Sequence, residues 1–362
     1  MIDPIEYYDL VASGCFCMDC INITEDPLHM ILKDAYASKD VEQHSCETPL
    51  FFIIPKCDSR ENLIRHQIYG DIVLTPMNYC FNPIDESVKM IKKLPDYYEK
   101  TNCLFVDNYL FVFNGFHEQE NKDHVCKYDM EKNIWTPNIF PRYMAVRIDS
   151  ITLKHPTDSA KAIQLGGYKK NGEAFLSNKM YDFVNYQRYS YPVIPFIDSY
   201  KIETGVSLHN GLFLFSKAPD NKGIIFDPRI KGRDSLLFDL PLMNNRENFS
   251  VTKNFESIFI TGGECLNNSS INGNAISDDI LEIDSRMLRI RHCGKMMTGR
   301  KMHCTFAYHN ELYVLCGRTP NPTDMKKIHI YDLKKGTWRE SKNIMPKAVD
   351  VNCCAFNENY FE

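Results

Sequence analysis

Short apolar segments alternate with polar turns along most of this chain, and one arrangement of them recurs. In its clearest copy, an apolar segment ends in Gly317, a second ends in Tyr331-Asp332, and Trp338 and Met345-Pro346 follow. An earlier copy has the same order and the same step of seven residues from tyrosine to tryptophan, at residues 109–115, Tyr128-Asp129, Trp135 and Phe140-Pro141. Self-similarity with a period of about 50 residues indicates a repeat array.

Further copies of this unit are less complete. Gly166-Gly167 and Gly262-Gly263 each end an apolar segment, while residues 211–216 and 51–54 keep the segment without the glycine pair. A closing proline marks five units, and Met296-Met297 takes its place in the remaining one. The prolines are Pro95, Pro141, Pro195, Pro241 and Pro346. Because the apolar segments and the closing residues give the same number of units, the sequence predicts six of them.

Each unit predicts four short antiparallel strands. Residues 103–106 and 109–113 are apolar and flank Asp107-Asn108, which indicates a hairpin. A single sheet of four strands cannot bury both of its faces, whereas six sheets packed radially bury them and leave short, protected edges. The sequence therefore predicts an all-β fold, a six-bladed β-propeller in which the tryptophans pack between neighbouring blades.

The glycine pairs, the Tyr-Asp pairs and the tryptophans at these offsets resemble the kelch repeat, over roughly residues 48–356. In kelch propellers the C-terminal strand commonly completes the first blade, so the resemblance implies that residues 351–356 pair beside residues 51–54. Such closure removes a sheet edge that would otherwise invite aggregation. Residues 48–362 are then the propeller domain.

Residues 1–47 lack the repeated unit. Residues 5–11 and 28–35 have helical apolar spacing, and Asp26-Pro27 is a suitable helix start. A short helical segment ahead of the repeats resembles the end of a BACK domain, as in the BTB-BACK-kelch family. The BTB domain and most of BACK have no counterpart in this sequence, which leaves open a natural short form or a fragment of a longer protein.

Composition narrows the class of protein. The formal net charge is −5 and the pI is about 6.1, so the chain lacks the basic character of a nucleic-acid-binding protein. No apolar run approaches the ~20 residues of a membrane-spanning helix, and no signal segment is evident. Most of the 14 cysteines fall in predicted strands, where they are expected to be free core residues in a reducing, cytoplasmic compartment.

Candidate chemistry is sparse. Cys17 and Cys20 have the C-x-x-C spacing of a zinc site, with His44 or Cys46 as further ligands, but no second C-x-x-C completes four ligands. Core or surface cysteines are therefore the favoured interpretation, and no metal or other cofactor is expected. No H-E-x-x-H, P-loop or G-x-S-x-G motif is present, so the prediction is a protein without enzymatic activity. A propeller enzyme is the less favoured alternative.

The kelch resemblance implies a binding surface in the loops at one mouth of the propeller. By position it assigns two kinds of residue to that surface, those after the glycine pairs and the arginines entering the next inner strand. The first are Phe116, His117, Tyr168, Glu264 and Arg318, and the second are Arg142 and Arg300. Solvated loop residues without a function are the alternative interpretation of each.

The family resemblance also implies a function. In BTB-BACK-kelch proteins the BTB domain binds the cullin scaffold of a ubiquitin ligase and the propeller binds the substrate. This chain resembles the substrate-recognition part of such a cullin-RING adaptor, and contact with a cullin would require a BTB domain from elsewhere. A cytoskeletal kelch protein that binds actin or other filaments is the alternative.

Overall fold

The structure is a computed structural model. It describes residues 49–55, 78–95, 101–113, 125–137, 139–140, 150–169, 173, 177–192, 201–209, 211–227, 235–266, 275–346 and 351–356. The predicted helical segment 1–47 lies outside these residues. The described chain is all-β apart from two short 3-10 helices, Pro241–Met243 and Pro322–Lys326. No helix in it is long and apolar enough to cross a membrane.

Four-stranded antiparallel sheets follow one another along the described chain, and each corresponds to one predicted unit. Unit 1 contains β1 (Phe51–Pro55), β2 (Asn78–Phe81) and β3 (Val88–Ile91). Unit 2 contains β4 (Asn102–Val106), β5 (Tyr109–Phe113), β6 (Val125–Asp129) and β7 (Ile134–Thr136). Unit 3 contains β8 (Ile151–His155), β9 (Asp158–Leu165), β10 (Asn178–Asp182) and β11 (Gln187–Tyr191).

The second half of the described chain repeats this arrangement with one addition. Unit 4 contains β12 (Ile202–Leu208), β13 (Gly211–Ser216), β14 (Lys222–Phe226) and β15 (Ser235–Asp239). A small three-stranded sheet is formed by β16 (Arg246–Glu247), β19 (Glu264–Cys265) and β20 (Ala275–Ile276). Unit 5 contains β17 (Ser250–Asn254), β18 (Ser257–Thr261), β21 (Asp279–Asp284) and β22 (Ile290–Lys295). Unit 6 contains β23 (Cys304–Tyr308), β24 (Glu311–Leu315), β25 (Lys327–Asp332) and β26 (Thr337–Ile344).

The last strand, β27 (Val351–Phe356), belongs to the sheet of unit 1. It runs antiparallel to β1, with Phe51 opposite Phe356 and Ile54 opposite Cys353. The predicted pairing of these two segments is therefore confirmed. Since β27 occupies the first position of this sheet, unit 1 also has four strands, drawn from both ends of the described chain.

The apolar core lies between neighbouring sheets. Phe52 and Ile54 of unit 1, for example, share a buried cluster with Phe105 and Leu110 of unit 2. Equivalent clusters join units 2 and 3, 3 and 4, 4 and 5, and 5 and 6. Units 6 and 1 meet through Phe51, whose ring stacks on that of Phe306 at 4.2 Å. Each sheet thus buries its faces against its neighbours, which is a β-propeller-like architecture.

The two tryptophans occupy equivalent positions in units 2 and 6 and make equivalent contacts. Trp135 lies directly opposite Tyr128 in its sheet, and Trp338 lies directly opposite Tyr331. Each indole Nε1–H donates to a backbone carbonyl of the preceding unit, Lys92 at 2.8 Å and Lys295 at 2.7 Å. The donor and acceptor are 43 residues apart in both cases. The predicted packing of tryptophan between neighbouring units is therefore confirmed, and a hydrogen bond accompanies it.

The aspartate of the Tyr-Asp pair shapes the turn that follows it. The Asp332 carboxylate accepts the backbone N–H groups of Lys334 and Lys335, both at 2.9 Å. Asp182 and Asp284 accept in the same manner from the two residues that follow at these spacings. A carboxylate that satisfies two turn amides explains why this residue recurs at the end of the third strand.

Candidate functional site

The glycine-turn face is the set of loops that follow the second strand of each unit, together with the loops that enter the first strands. At this face Gly262 has a φ of 57° and Gly317 a φ of 77°. A Cβ atom on Gly317 would lie 2.5 Å from the carbonyl oxygen of Lys301. Glycine is therefore required here both by the backbone conformation and by the close approach of the next loop.

Two fully buried arginines hold these turns. Arg246 donates from its Nη1 to the carbonyl of Gly262 at 3.2 Å, and Arg300 donates to the carbonyl of Cys316 at 2.7 Å. In each case the acceptor is 16 residues beyond the arginine. Arg246 also forms an ion pair with Asp279 at 2.8 Å. Each arginine thus ties the entry of a unit to the glycine turn of the same unit.

The prediction that Arg300 faces a binding partner is corrected by this geometry. Its side chain has no exposed surface, and its Nη2 donates to the carbonyls of Asp324 and Lys327 at 2.9 and 3.0 Å. Burial lowers the pKa of Arg300 to about 10, so it remains a cation at neutral pH. Its Nη1 and Nη2 groups hold loops together inside the protein, so they are unavailable to a ligand.

Arg246 was not among the residues that the sequence singled out, although it is the counterpart of Arg300 in unit 5. The signal that could have found it is the spacing to the glycine turn, which is the same for both arginines. Gly-Gly at 262–263 and Cys-Gly at 316–317 occupy corresponding positions in the two units.

Two histidines lie behind the same turns. His303 contacts the hydroxyl of Thr261 through Nε2 at 2.9 Å, and that hydroxyl lies 2.6 Å from the hydroxyl of Thr305. Burial, together with the nearby cation of Arg300, lowers the pKa of His303 to about 3 and that of His329 to about 4. Both imidazoles are therefore neutral at pH 7, and they contribute polar contacts rather than charge to this region.

A row of charged residues, connected partly through the backbone, runs from unit 5 to unit 6 on this face. Glu264, in β19, forms an ion pair with Lys301 at 2.6 Å, and both side chains are largely buried. The backbone of Lys301 exchanges two hydrogen bonds with that of Arg318, at 2.8 and 3.0 Å. Arg318 itself is exposed. The structure thus brings Glu264 and Arg318 together, with Lys301 between them.

The other predicted residues of this surface are distributed as follows. Tyr168 directly follows the turn at Gly166-Gly167 in unit 3 and is partly buried. Phe116, His117 and Arg142 lie outside the described residues, as do Cys17 and Cys20 of the candidate zinc site. Within the described part of the chain, no group of three or more His, Cys, Asp or Glu side chains could hold a metal ion.

Five buried cysteines in or next to the strands form no disulfide bond. They are Cys80, Cys103, Cys126, Cys304 and Cys316. Burial raises the pKa of Cys80 to about 12, which makes its thiol inert at neutral pH. These cysteines act as core residues.

Comparison with known proteins adds information on the fold. No family model matches the sequence, and no curated protein matches it. The solved structure of YjhT is similar to this chain with a TM-score of 0.59, over 74% of this chain and 91% of that one, at 14% sequence identity. At this identity the similarity concerns the fold alone, and it agrees with the β-propeller-like arrangement of sheets described above.

Proposed function

We propose that this chain is a six-bladed kelch-type propeller that binds a protein partner through its glycine-turn face, without enzymatic activity. The first strands support a closed ring, because they contact one another in a cycle: β27 with β4, then β8, β12, β17, β23 and again β27. Completion of the first sheet by the last strand fits the same arrangement.

The observation that carries the proposed binding role is the charged row of Glu264, Lys301 and Arg318. It lies on turns held by the two buried arginines, so its groups are preorganised before a partner arrives. The exposed guanidinium of Arg318 suits a carboxylate or phosphate group of the partner, because its planar fork can donate two parallel hydrogen bonds.

In the BTB-BACK-kelch interpretation the bound partner is a ubiquitination substrate. This chain would then bind the substrate, while delivery to a cullin would require a BTB domain. Cytoplasmic localisation follows from that role. Co-sedimentation with actin or intermediate filaments distinguishes the cytoskeletal alternative.

Affinity purification from cell lysate with mass spectrometry tests the proposal. The test variant is Arg142→Ala with Arg318→Ala, and it omits Arg300 because that side chain is buried. The matched control is Lys89→Ala with Lys132→Ala, which removes two exposed cations away from the glycine turns. A partner retained by wild type and control but lost by the test variant supports the proposed face. Retention by all three proteins contradicts it.

A further inference from the structure

A second surface lies at the opposite ends of the strands from the glycine turns. There a groove of about 340 Å³ separates the hairpin turns of units 5 and 6. Phe255 and Glu256 of the β17–β18 turn form one wall, Leu333 and Lys334 of the β25–β26 turn form the other, and Phe259 and Arg291 also line it. The lining therefore places apolar side chains beside cationic groups and beside the carboxylates of Glu256 and Glu282.

Phe255 is unusual for its position. It is the first residue of a two-residue turn between Asn254 and Ser257, has a φ of 52°, and is 68% exposed. Asp107 and His309 hold the equivalent place in the β4–β5 and β23–β24 turns, with φ of 49° and 51°. A left-handed turn position favours Gly, Asn or Asp, and a bulky aromatic residue there is an outlier. Local strain and an exposed ring at one residue are typical of a binding function.

The charged side chains around the groove differ in their contacts within the protein. Glu282 accepts hydrogen bonds from Ser257 and Arg291, and Glu256 accepts one from Ser285 and pairs with His209. Both carboxylates thus have partners within the protein.

The nearby cations Arg286, Arg289 and Lys334 are exposed. Backbone hydrogen bonds, together with the nearby charges of Arg286 and Arg289, lower the pKa of Asp284 in the same turn, so one carboxylate faces two arginines. The turn that carries the two arginines is tied to the groove wall, because Ser285 N–H donates to the carbonyl of Glu256 at 3.0 Å. An anionic ligand would complement this side of the groove.

We propose that the groove between units 5 and 6 binds a short acidic peptide segment of a protein partner. An apolar side chain of that segment packs against Phe255 and Leu333, and its carboxylates face Lys334 and the arginines of the β21–β22 turn. This site is separate from the glycine-turn face, so an experiment can contradict either proposal without contradicting the other.

Selection from a phage-displayed library of random dodecapeptides against the full chain tests the proposal. The selected peptide is then measured by fluorescence polarisation. We expect sequences that combine an apolar residue with acidic ones, and roughly tenfold weaker binding by Phe255→Asn and by Lys334→Glu. Asn tolerates the left-handed turn, so Phe255→Asn keeps the fold, and Lys334→Glu changes an exposed side chain. Asp107→Asn, at the same turn position in unit 2, is the matched control and should bind as wild type does.

Four results would overturn this proposal. The first is a failure to enrich any peptide on wild type over Phe255→Asn. The second is a neutral or basic consensus among the selected peptides. The third is peptide binding that Arg142→Ala with Arg318→Ala abolishes. The fourth is concentration-dependent dimerisation in sedimentation velocity that Phe255→Asn removes, which would identify a second copy of this chain as the occupant.

Discussion

The carboxylate of Glu86 and the guanidinium of Arg339 form an ion pair across 253 residues of sequence, between unit 1 and the outer strand of unit 6. Glu86 is 7% exposed and also accepts from the hydroxyl of Ser341 at 2.8 Å and the N–H of Lys342 at 2.7 Å. Its carbonyl accepts from Asn343 at 3.0 Å. One glutamate therefore joins unit 1 to unit 6, the two units that also meet in the Phe51–Phe306 stack.

We expect Glu86→Gln to destabilise the fold by about 1–3 kcal/mol at pH 7, because the donors of β26 lose a buried, charged acceptor. Burial opposes ionisation of Glu86, but the hydrogen bonds from Lys342, Arg339 and Ser341 outweigh it and lower its pKa. A lowered pKa contributes stability above the unfolded value of about 4.3, and this contribution is lost as the pH falls through the folded value.

Urea denaturation of wild type and Glu86→Gln at pH 7 and pH 3 measures this effect. The difference between the two proteins should shrink at the lower pH. Glu131→Gln, an exposed turn residue, is the control. A difference independent of pH would contradict the role of the ionised carboxylate.

Trp135→Phe and Trp338→Phe each remove one hydrogen bond between units while keeping an aromatic ring. We expect both to lower the free energy of unfolding, by about 1–2 kcal/mol. The loss should be larger at Trp135, which is 7% exposed, than at the more exposed Trp338. Chemical denaturation gives both values, and a larger loss at Trp338 would argue against burial as the deciding factor.

Arg300→Ala and Arg318→Ala should differ strongly in their effect on stability. Removal of Arg300 leaves the carbonyls of Cys316, Asp324 and Lys327 without their donor, so we expect a loss of at least about 3 kcal/mol. Arg318→Ala changes an exposed residue and should stay within about 0.5 kcal/mol of wild type. Thermal and urea unfolding of the pair test this, and equal effects would refute the assignment of Arg300 as an internal clamp.

Deletion of residues 347–362 removes β27 and exposes the edge of β1. We expect a marked fall in the thermal midpoint and a tendency to aggregate, since an apolar edge strand is left unpaired. The matched control ends at Phe356 and keeps β27. An unchanged thermal midpoint in the longer deletion would show that the β1–β27 pairing is not needed for stability.

Much of this fold could be predicted because the residues that characterise each unit lie close together in the sequence. The step from Tyr128 to Trp135 places both residues opposite each other in one hairpin, and the same step recurs at Tyr331 and Trp338. At these positions the seven-residue spacing along the chain therefore also predicts which residues lie opposite each other in the sheet. The pairing of residues 351–356 beside residues 51–54 was expected from the kelch resemblance, and β1 and β27 do pair.

The candidate site was harder to predict. Arg300 and Arg318 flank the same glycine turn and look alike as sequence, yet one is fully buried and the other exposed. What separates them is the position of carbonyl groups from three different loops, which no local pattern records. The small sheet of β16, β19 and β20 was missed for a related reason, because strands of two residues carry too little periodicity to be recognised.

The pairing of β1 with β27 also bears on synthesis of the protein. About 300 residues separate the two strands, so at ~5–20 residues per second β1 waits roughly 15 to 60 s for its partner to leave the ribosome. Throughout that interval five sheets can form while the first has an open hydrogen-bonding edge. A nascent chain of this protein should therefore bind chaperones through unit 1 and release them only after β27 has been synthesised and has paired with β1.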